Sequence, residues 1–337
     1  MNLLSIHNLS VHYIGSQGTT KAVDDVSLNL KEGELLGIVG ESGCGKTTLA
    51  RSITGVIAPS AKIISGEIFF QNTDILNPTN STIAHNVKWK KISFIPQSAM
   101  NSLDPVYKIR NQMREILMIR GGFNKKQADE KSNYLFDLVG IDVKRLRDYP
   151  HQFSGGMKQR VAIAMAIALD PKIIIADEPV TALDVIVQRQ ILDLFDKLKK
   201  SLNLSIILVT HDISVIAYSC QKVAVMYAGE IIEMGSVKSV LEKPLHPYTM
   251  GLNNAFPDLL SKKSDYLVPI EGSPPNLLNP PIGCRFKMRC PFSQDQCNNK
   301  PEKINNSDRH VASCWRESES DQLRIRANEP STWINND

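Results

Sequence analysis

The sequence predicts an α/β fold built around a buried parallel sheet. Short apolar runs suit strands covered on both faces. Glycine-rich or polar residues close each run, and helix-like stretches lie between them. The runs are Leu35-Leu36-Gly37-Ile38-Val39, Ile173-Ile174-Ile175-Ala176 and Leu204-Ser205-Ile206-Ile207-Leu208-Val209. In open α/β sheets ligands gather where strands end. The residues after each run are therefore the candidate site residues.

After the first run, Gly40-Glu41-Ser42-Gly43-Cys44-Gly45-Lys46-Thr47 fills the phosphate-loop pattern GxxxxGK[ST]. Thr47 to Ile53 can start the helix that this loop requires. Glycines let backbone N–H groups turn onto phosphate oxygens, and the helix N-terminus adds partial positive charge. Gly40, Ser42, Gly43, Cys44, Gly45, Lys46, Thr47 and Thr48 are the expected ATP-binding residues. Lys46 reaches the β- and γ-phosphates, and the Thr47 hydroxyl ligates Mg²⁺. Cys44 reads as a small filler; the sharper alternative is a thiol activated at a helix start.

The second run ends in Asp177-Glu178-Pro179. Asp177 is the natural Mg²⁺ partner, and Glu178 is placed to polarise the attacking water. Thr181-Ala182-Leu183-Asp184 then leads into an amphipathic helix from about Val185 to Lys199. The third run ends in Thr210-His211-Asp212, and a fourth, Ile92-Ser93-Phe94-Ile95-Pro96, ends at Gln97. Phe153-Ser154-Gly155-Gly156-Met157-Lys158-Gln159-Arg160 precedes a further apolar helical stretch. Ser154 is a good N-cap, and free N–H groups there make an anion site.

The order phosphate loop, Gln97, Ser154-Gly155-Gly156, Asp177-Glu178, Asp184, His211 resembles the ATP-binding cassette (ABC) family over about residues 1–240. The resemblance implies a P-loop NTPase with a RecA-like core, an antiparallel β subdomain and an inserted helical subdomain at about 97–160. It makes Glu178 and His211 catalytic, His211 as the γ-phosphate switch. Gln97 joins Thr47 and Asp177 at Mg²⁺, and Tyr13 stacks on adenine or remains a plain strand aromatic. Ser154, Gly155, Gly156 and Gln159 face the ATP of a partner subunit, and Asp184 lies at the dimer interface. ATP closes a head-to-tail dimer and hydrolysis reopens it.

Beyond about residue 240 the composition shifts. Ten of the eighteen prolines fall between Pro244 and Pro301, so that stretch reads as mostly loop. Leu245-His246-Pro247-Tyr248-Thr249 and Gly272-Ser273-Pro274-Pro275 resemble the C-terminal extension of oligopeptide and dipeptide importer ATPases. The extension is expected over 241–337. Four of the six cysteines lie there: Cys284, Cys290, Cys297 and Cys314. A cytoplasmic context disfavours disulfides. Four soft thiolates suit zinc or an iron–sulfur cluster, and the lack of a CxxC pair weakens zinc. The resemblance implies a [4Fe–4S] cluster, with zinc as the alternative. His246 and His310 are not expected as ligands.

Net charge is +4 on 337 residues, with no basic tract to argue for nucleic acid. No secretory signal is expected; Met1 to His7 reads as an edge strand. No apolar run of about twenty residues spans a bilayer, so any channel belongs to other chains. The implied partners are two membrane permease subunits, a second homologous ATPase subunit and, indirectly, an extracytoplasmic solute-binding protein. The implied location is the cytoplasmic face of the cell membrane, with Asn101-Ser102-Leu103-Asp104-Pro105 as the permease docking face. The leading expectation is an ATPase energising a dipeptide or oligopeptide importer. The alternatives are oligosaccharide or nickel import and, from another class, a nucleic-acid or ribosome ATPase. That class usually carries two cassettes or long coiled coils, and this chain shows neither.

Overall fold

The structure, a computed structural model, describes residues 2–76, 87–254, 270–302, 304 and 309–333. In chain order come β1 (Asn2–Gly15), β2 (Gly18–Lys31), β3 (Leu35–Val39), α1 (Lys46–Thr54), β4 (Ala61–Phe70) and β5 (Thr73–Asp74). Then follow β6 (Ile92–Ile95), α2 (Ile109–Glu115), α3 (Lys125–Leu138), α4 (Gly155–Ala166), β7 (Ile173–Asp177), α5 (Val185–Leu202) and β8 (Ser205–Thr210). The last group is α6 (Ile213–Ser219), β9 (Lys222–Tyr227), β10 (Glu230–Ser236), α7 (Val237–Glu242), α8 (Pro247–Asn254), β11 (Val311–Ala312) and α9 (Ser320–Ala327). These elements fall into two compact units. One comprises 31–35 and 77–209, the other 2–30, 36–76 and 210–337.

In the first unit β7 pairs in parallel with β6 and with β8, in registers Ile95↔Ala176 and Asp177↔Val209. Every residue of β7 and β8 is buried, as continuous apolar runs require. Within the expected helical insert, α3 begins at Lys125 behind the cap Asn124. Asn124 accepts from the Gln127 N–H at 3.0 Å, and the Gln127 side chain accepts from the Asn124 N–H at 2.9 Å. This reciprocal cap satisfies two donors at once. The buried stripe of α3 is Ala128, Ser132, Leu135 and Phe136, the spacing of one helix face. Arg114 of α2 forks onto Asp129 of α3 at 2.6 and 2.5 Å.

In the second unit a four-stranded sheet has the order β2-β1-β4-β5. The N-terminal segment is therefore not the edge strand that the sequence suggested. Leu4, Ile6, Leu9 and Val11 are buried, and β1 pairs antiparallel with β4 from Leu4↔Phe70 to Tyr13↔Ala61. Both edges of β1 are in use, because its apolar positions continue well past His7. β3 pairs in parallel with β9, and β9 and β10 form a hairpin. Its turn residues Ala228 and Gly229 have φ of 48° and 89°, the left-handed pair that matches strand twist.

In the proline-rich stretch residues 270–294 hold no helix or strand, as expected, and α8 is the exception. Pro247 opens α8, where its missing N–H costs nothing. Tyr248, Thr249, Met250 and Leu252 are all buried there. His246 is 1% exposed, and its Nδ1 accepts from the Tyr248 N–H at 3.0 Å. Fully buried Glu233 of β10 accepts the Leu245 and His246 N–H groups at 2.8 and 2.9 Å, and sits 2.8 Å from His310 Nε2. Both histidines thus serve the docking of the tail.

Burial pushes the His246 pKa down to about 3. The unfolded chain therefore takes up this proton first as pH falls. The stability held by neutral His246 is intact above about pH 6.5 and is lost progressively toward pH 3. His246→Asn keeps an acceptor but cannot be protonated. Thermal unfolding measured from pH 7.5 to 5 should show a flatter pH dependence for this variant.

Candidate functional site

The phosphate loop lies in the second unit, between β3 and α1. A Cβ on Gly40 would meet the Met226 carbonyl oxygen at 2.0 Å, and one on Gly45 would meet that of Ala22 at 2.0 Å. Gly45 also holds φ 106°. The glycines are thus set by close backbone approach as well as by the turn. Gly45 caps α1 with no side chain, so the cap leaves the first-turn N–H groups to other acceptors. Lys46 is 5% exposed, and its ammonium donates to the Gly40 and Glu41 carbonyls at 2.7 and 2.8 Å. Ser42 and Gly43 are exposed, Thr47 is half-buried and Thr48 is buried. The Tyr13 hydroxyl lies 3.2 Å from Thr48 Oγ1. Cys44 is 1% exposed, and burial pushes its thiol up despite Lys46 nearby. It fills space; the activated-thiol reading fails because desolvation outweighs the local positive charge.

The first unit assembles a second group. Asp177, the last residue of β7, is 1% exposed. Glu178 takes a left-handed backbone at φ 48°, with its N–H donating to Val209 O at 2.8 Å. Its carboxylate accepts from Gln97 Nε2 at 2.8 Å and from Thr181 Oγ1 at 3.1 Å. The register of β6 against β7 brings Gln97 beside the acid pair. Thr181 was quoted in the sequence without a role. Its offset of three residues from Glu178 across a turn was the available signal.

Ser154 and Gly155 are exposed at the start of α4, and the Ser154 hydroxyl accepts from the Met157 N–H at 3.4 Å. A Cβ on Gly156 would lie 2.6 Å from Val187, so α4 and α5 meet closely here. Gln159 departs from expectation. It is 2% exposed, on the core side of α4, and does not share the exposed surface of Ser154 and Gly155. Asp184 is exposed and caps α5 through the Val187 N–H at 3.0 Å. His211, in the second unit, is exposed just after β8. Asp212 beside it caps α6 through Ser214 at 2.8 Å.

The tail cysteines belong to the second unit. The Cys284 N–H donates to Cys297 O at 2.9 Å. Burial pushes the thiols of Cys284 to about 11 and Cys314 to about 12, and raises that of Cys290 as well, with neighbouring cysteines adding to each rise. Such thiols stay protonated unless a cationic centre draws off the proton. Their soft sulfurs fit such a centre in donor chemistry. Their arrangement does not reproduce the expected ligand set: among the described residues no three Cys, His, Asp or Glu side chains gather as a metal-binding group. The Cys314 sulfur instead accepts the Arg316 N–H at 3.4 Å.

The tail also reaches the phosphate loop. Arg289 Nη1 donates to both Glu41 carboxylate oxygens at 3.1 and 2.9 Å, and the Glu41 N–H donates to Tyr248 OH at 3.1 Å. No nucleotide motif contains Arg289 or Tyr248; the sequence offered Tyr248 only as part of a tail motif and gave no signal for Arg289.

The ABC transporter family matches residues 23–181, and the oligopeptide/dipeptide transporter C-terminal region matches residues 232–297. The chain is 43% identical to the dipeptide transport ATP-binding protein DppD of Bacillus subtilis (strain 168), over 93% of this chain and 94% of that protein. The chain belongs to the oligopeptide/dipeptide family of ABC transporter ATPases. It is 44% identical to the oligopeptide transport ATP-binding protein OppD of Salmonella typhimurium, over 89% of each chain. Among solved structures it is similar to the dimeric ATP-binding cassette MJ0796 bound to ADP and Pi. The TM-score is 0.61 at 28% identity, over 69% of this chain and 98% of that one. The fold of this ABC ATPase is therefore the P-loop cassette fold expected from its motifs.

Gly45→Ala should place a Cβ against the Ala22 carbonyl at a backbone angle that costs alanine about 1–2 kcal/mol before the clash is counted. Titration of the full chain with Mg·ATP should show binding weakened by more than about tenfold.

Proposed function

We propose that this ABC ATPase energises import of dipeptides or oligopeptides, working as a peripheral subunit on the cytoplasmic face of the cell membrane. Lys46 and the loop residues Gly40, Ser42, Gly43, Cys44, Gly45, Thr47 and Thr48 bind the ATP phosphates, and Tyr13 meets the adenine. Thr47, Gln97 and Asp177 hold Mg²⁺. Glu178 polarises the attacking water and His211 contacts the γ-phosphate. The observation that carries this assignment is the setting of Glu178. Its carboxylate follows a fully buried strand and is gripped by Gln97 and Thr181 at 2.8 and 3.1 Å. A carboxylate oriented in advance by two donors loses little freedom when it takes a proton from water.

Ser154, Gly155 and Gly156 serve the ATP of a second, homologous ATPase chain, with Asp184 at the shared interface. Gln159 is left out of that role by its burial. Among the described residues no helix is long and apolar enough to cross a membrane, so two permease subunits form the channel. They dock near Asn101 to Pro105, where Ser102 and Asp104 are exposed and Leu103 is 5% exposed. A solute-binding protein delivers the peptide outside. Support for a peptide cargo comes from the C-terminal region match and from the names of the relatives.

Glu178→Gln should keep Mg·ATP binding and lower turnover by at least about a hundredfold, because the amide cannot accept the water proton. Phosphate release from the assembled transporter measures it. Turnover within a factor of three of the parent chain would remove Glu178 from the water-activating role.

For the tail we propose that Cys284, Cys290, Cys297 and Cys314 hold a [4Fe–4S] cluster, with zinc as the alternative. One buried and three partly buried thiols in a single segment support this reading, since a cluster would keep them ionised. It would supply a staple for a loop-rich segment. Anaerobically purified chain should contain about four iron and four sulfide per chain. Cys290→Ser should lose both and expose the tail to protease. A colourless chain with stoichiometric zinc would replace the cluster by zinc.

A further inference from the structure

The phosphate loop carries one acid, Glu41, that no step of ATP chemistry uses. A free carboxylate there would repel the polyphosphate that the loop must accept. The structure gives it a partner from far along the chain. Arg289 is only 9% exposed at its side chain, and its Nη1 reaches both Glu41 oxygens. The same guanidinium is anchored behind. Nε donates to Glu271 O at 2.9 Å, Nη2 to Ile270 O at 3.2 Å, and Nη1 also to Tyr227 OH at 3.2 Å. Tyr248 takes the Glu41 backbone N–H. Tyr248 stacks with Tyr227 and Phe286 at ring distances of 4.6 and 5.4 Å, so this second hold is also fixed by packing. Glu41 is therefore held by side chain and backbone from the tail, while Lys46 grips its carbonyl from the loop side.

We propose that Arg289 is a positioning residue of the nucleotide site: it neutralises Glu41 and fixes the second residue of the phosphate loop, so that the loop accepts Mg·ATP. The assignment rests on reading Gly40 to Thr47 as the ATP loop. It gives the C-terminal extension a direct part in nucleotide affinity, beyond closing the fold. When ATP draws the Lys46 ammonium toward its phosphates, the carbonyls of Gly40 and Glu41 lose their donor. The grip of Arg289 and Tyr248 then keeps that stretch of backbone from relaxing away.

The test is a set of Mg·ATP titrations on the full-length chain. Arg289→Gln should raise Kd about tenfold, equivalent to about 1.4 kcal/mol. Arg289→Lys keeps the charge without the guanidinium's backbone anchors and should stay within about threefold of the parent. In a Glu41→Gln background, Arg289→Gln should change Kd by less than about twofold, because the carboxylate it answers is gone. In ATPase assays of the assembled transporter the loss should fall on KM for ATP rather than on kcat. An equal loss in both backgrounds would mean that Arg289 acts only by holding the tail together, and would overturn the proposal, as would an unchanged Kd. Lys46→Ala separates the underlying reading: if it binds Mg·ATP like the parent chain, the loop assignment itself fails. If it does not bind while Arg289→Gln is without effect, only the present proposal fails.

Discussion

Strands buried on both faces can carry polar groups only at their ends, and the chemistry of this chain follows from that constraint. β7 and β8 have no exposed residue. Their side chains are committed to the core along the whole run, so the first polar residues come where the strand stops. Asp177 stays within β7 and is almost fully covered, whereas Glu178 turns out through a left-handed backbone. Such a conformation costs a non-glycine residue about 1–3 kcal/mol. The Glu178 N–H bond to Val209, the Thr181 N–H bond back to the Glu178 carbonyl and the two side-chain donors over-determine it. The strain fixes where the carboxylate points, which is what a water-activating group needs.

The same logic explains what could be read from residues alone. Apolar runs with chemically loaded ends gave β3, β6, β7 and β8 nearly residue by residue, because burial on both faces leaves a dense one-dimensional signal. Caps were equally local: Ser154, Asp184 and Asp212 each bond within three residues. The misses are long-range or directional. β1 lies inside its sheet because strand pairing is decided by β4, some fifty residues on. Gln159 follows Ser154 in the motif, yet helical rotation carries it to the core side. The ion pair of Arg289 with Glu41 spans 248 positions, and no spacing rule covers such a pair.

The loop reading of the tail from composition fails at one place, α8. Proline marks loops because it removes a donor and fixes φ, but at the first helical position neither matters. Pro247 accordingly begins a buried helix. The signal for burial was the neighbouring pattern, a histidine and a tyrosine flanking that proline. His246 caps the helix start, its Nδ1 accepting from the Tyr248 N–H, and the Tyr248 hydroxyl accepts from the loop backbone at Glu41. Burial of an imidazole without a charge partner is tolerable only in the neutral form. This motif therefore works as a plug for as long as the medium leaves His246 unprotonated.

The two arginines beside the cysteines show why the extension can matter to nucleotide chemistry whatever its thiols hold. Arg285, next to Cys284, donates to the Ala228 carbonyl and to Asp24. Arg289, next to Cys290, holds Glu41. Ala228 sits in the β9–β10 turn, and its neighbour Gly229 donates to the Cys44 carbonyl at 2.8 Å. Two independent chains of hydrogen bonds thus run from the cysteine segment to the phosphate loop, one through its second residue and one through its fifth. Hydrogen bonds to charged groups are worth about 1.5–3 kcal/mol each, against about 1 for neutral pairs. A tail that surrendered both arginines would release the loop at two points. A loop that must present several N–H groups together to one triphosphate is more sensitive to such freedom than a single contact would be, because each unfixed residue costs ordering entropy when ATP binds.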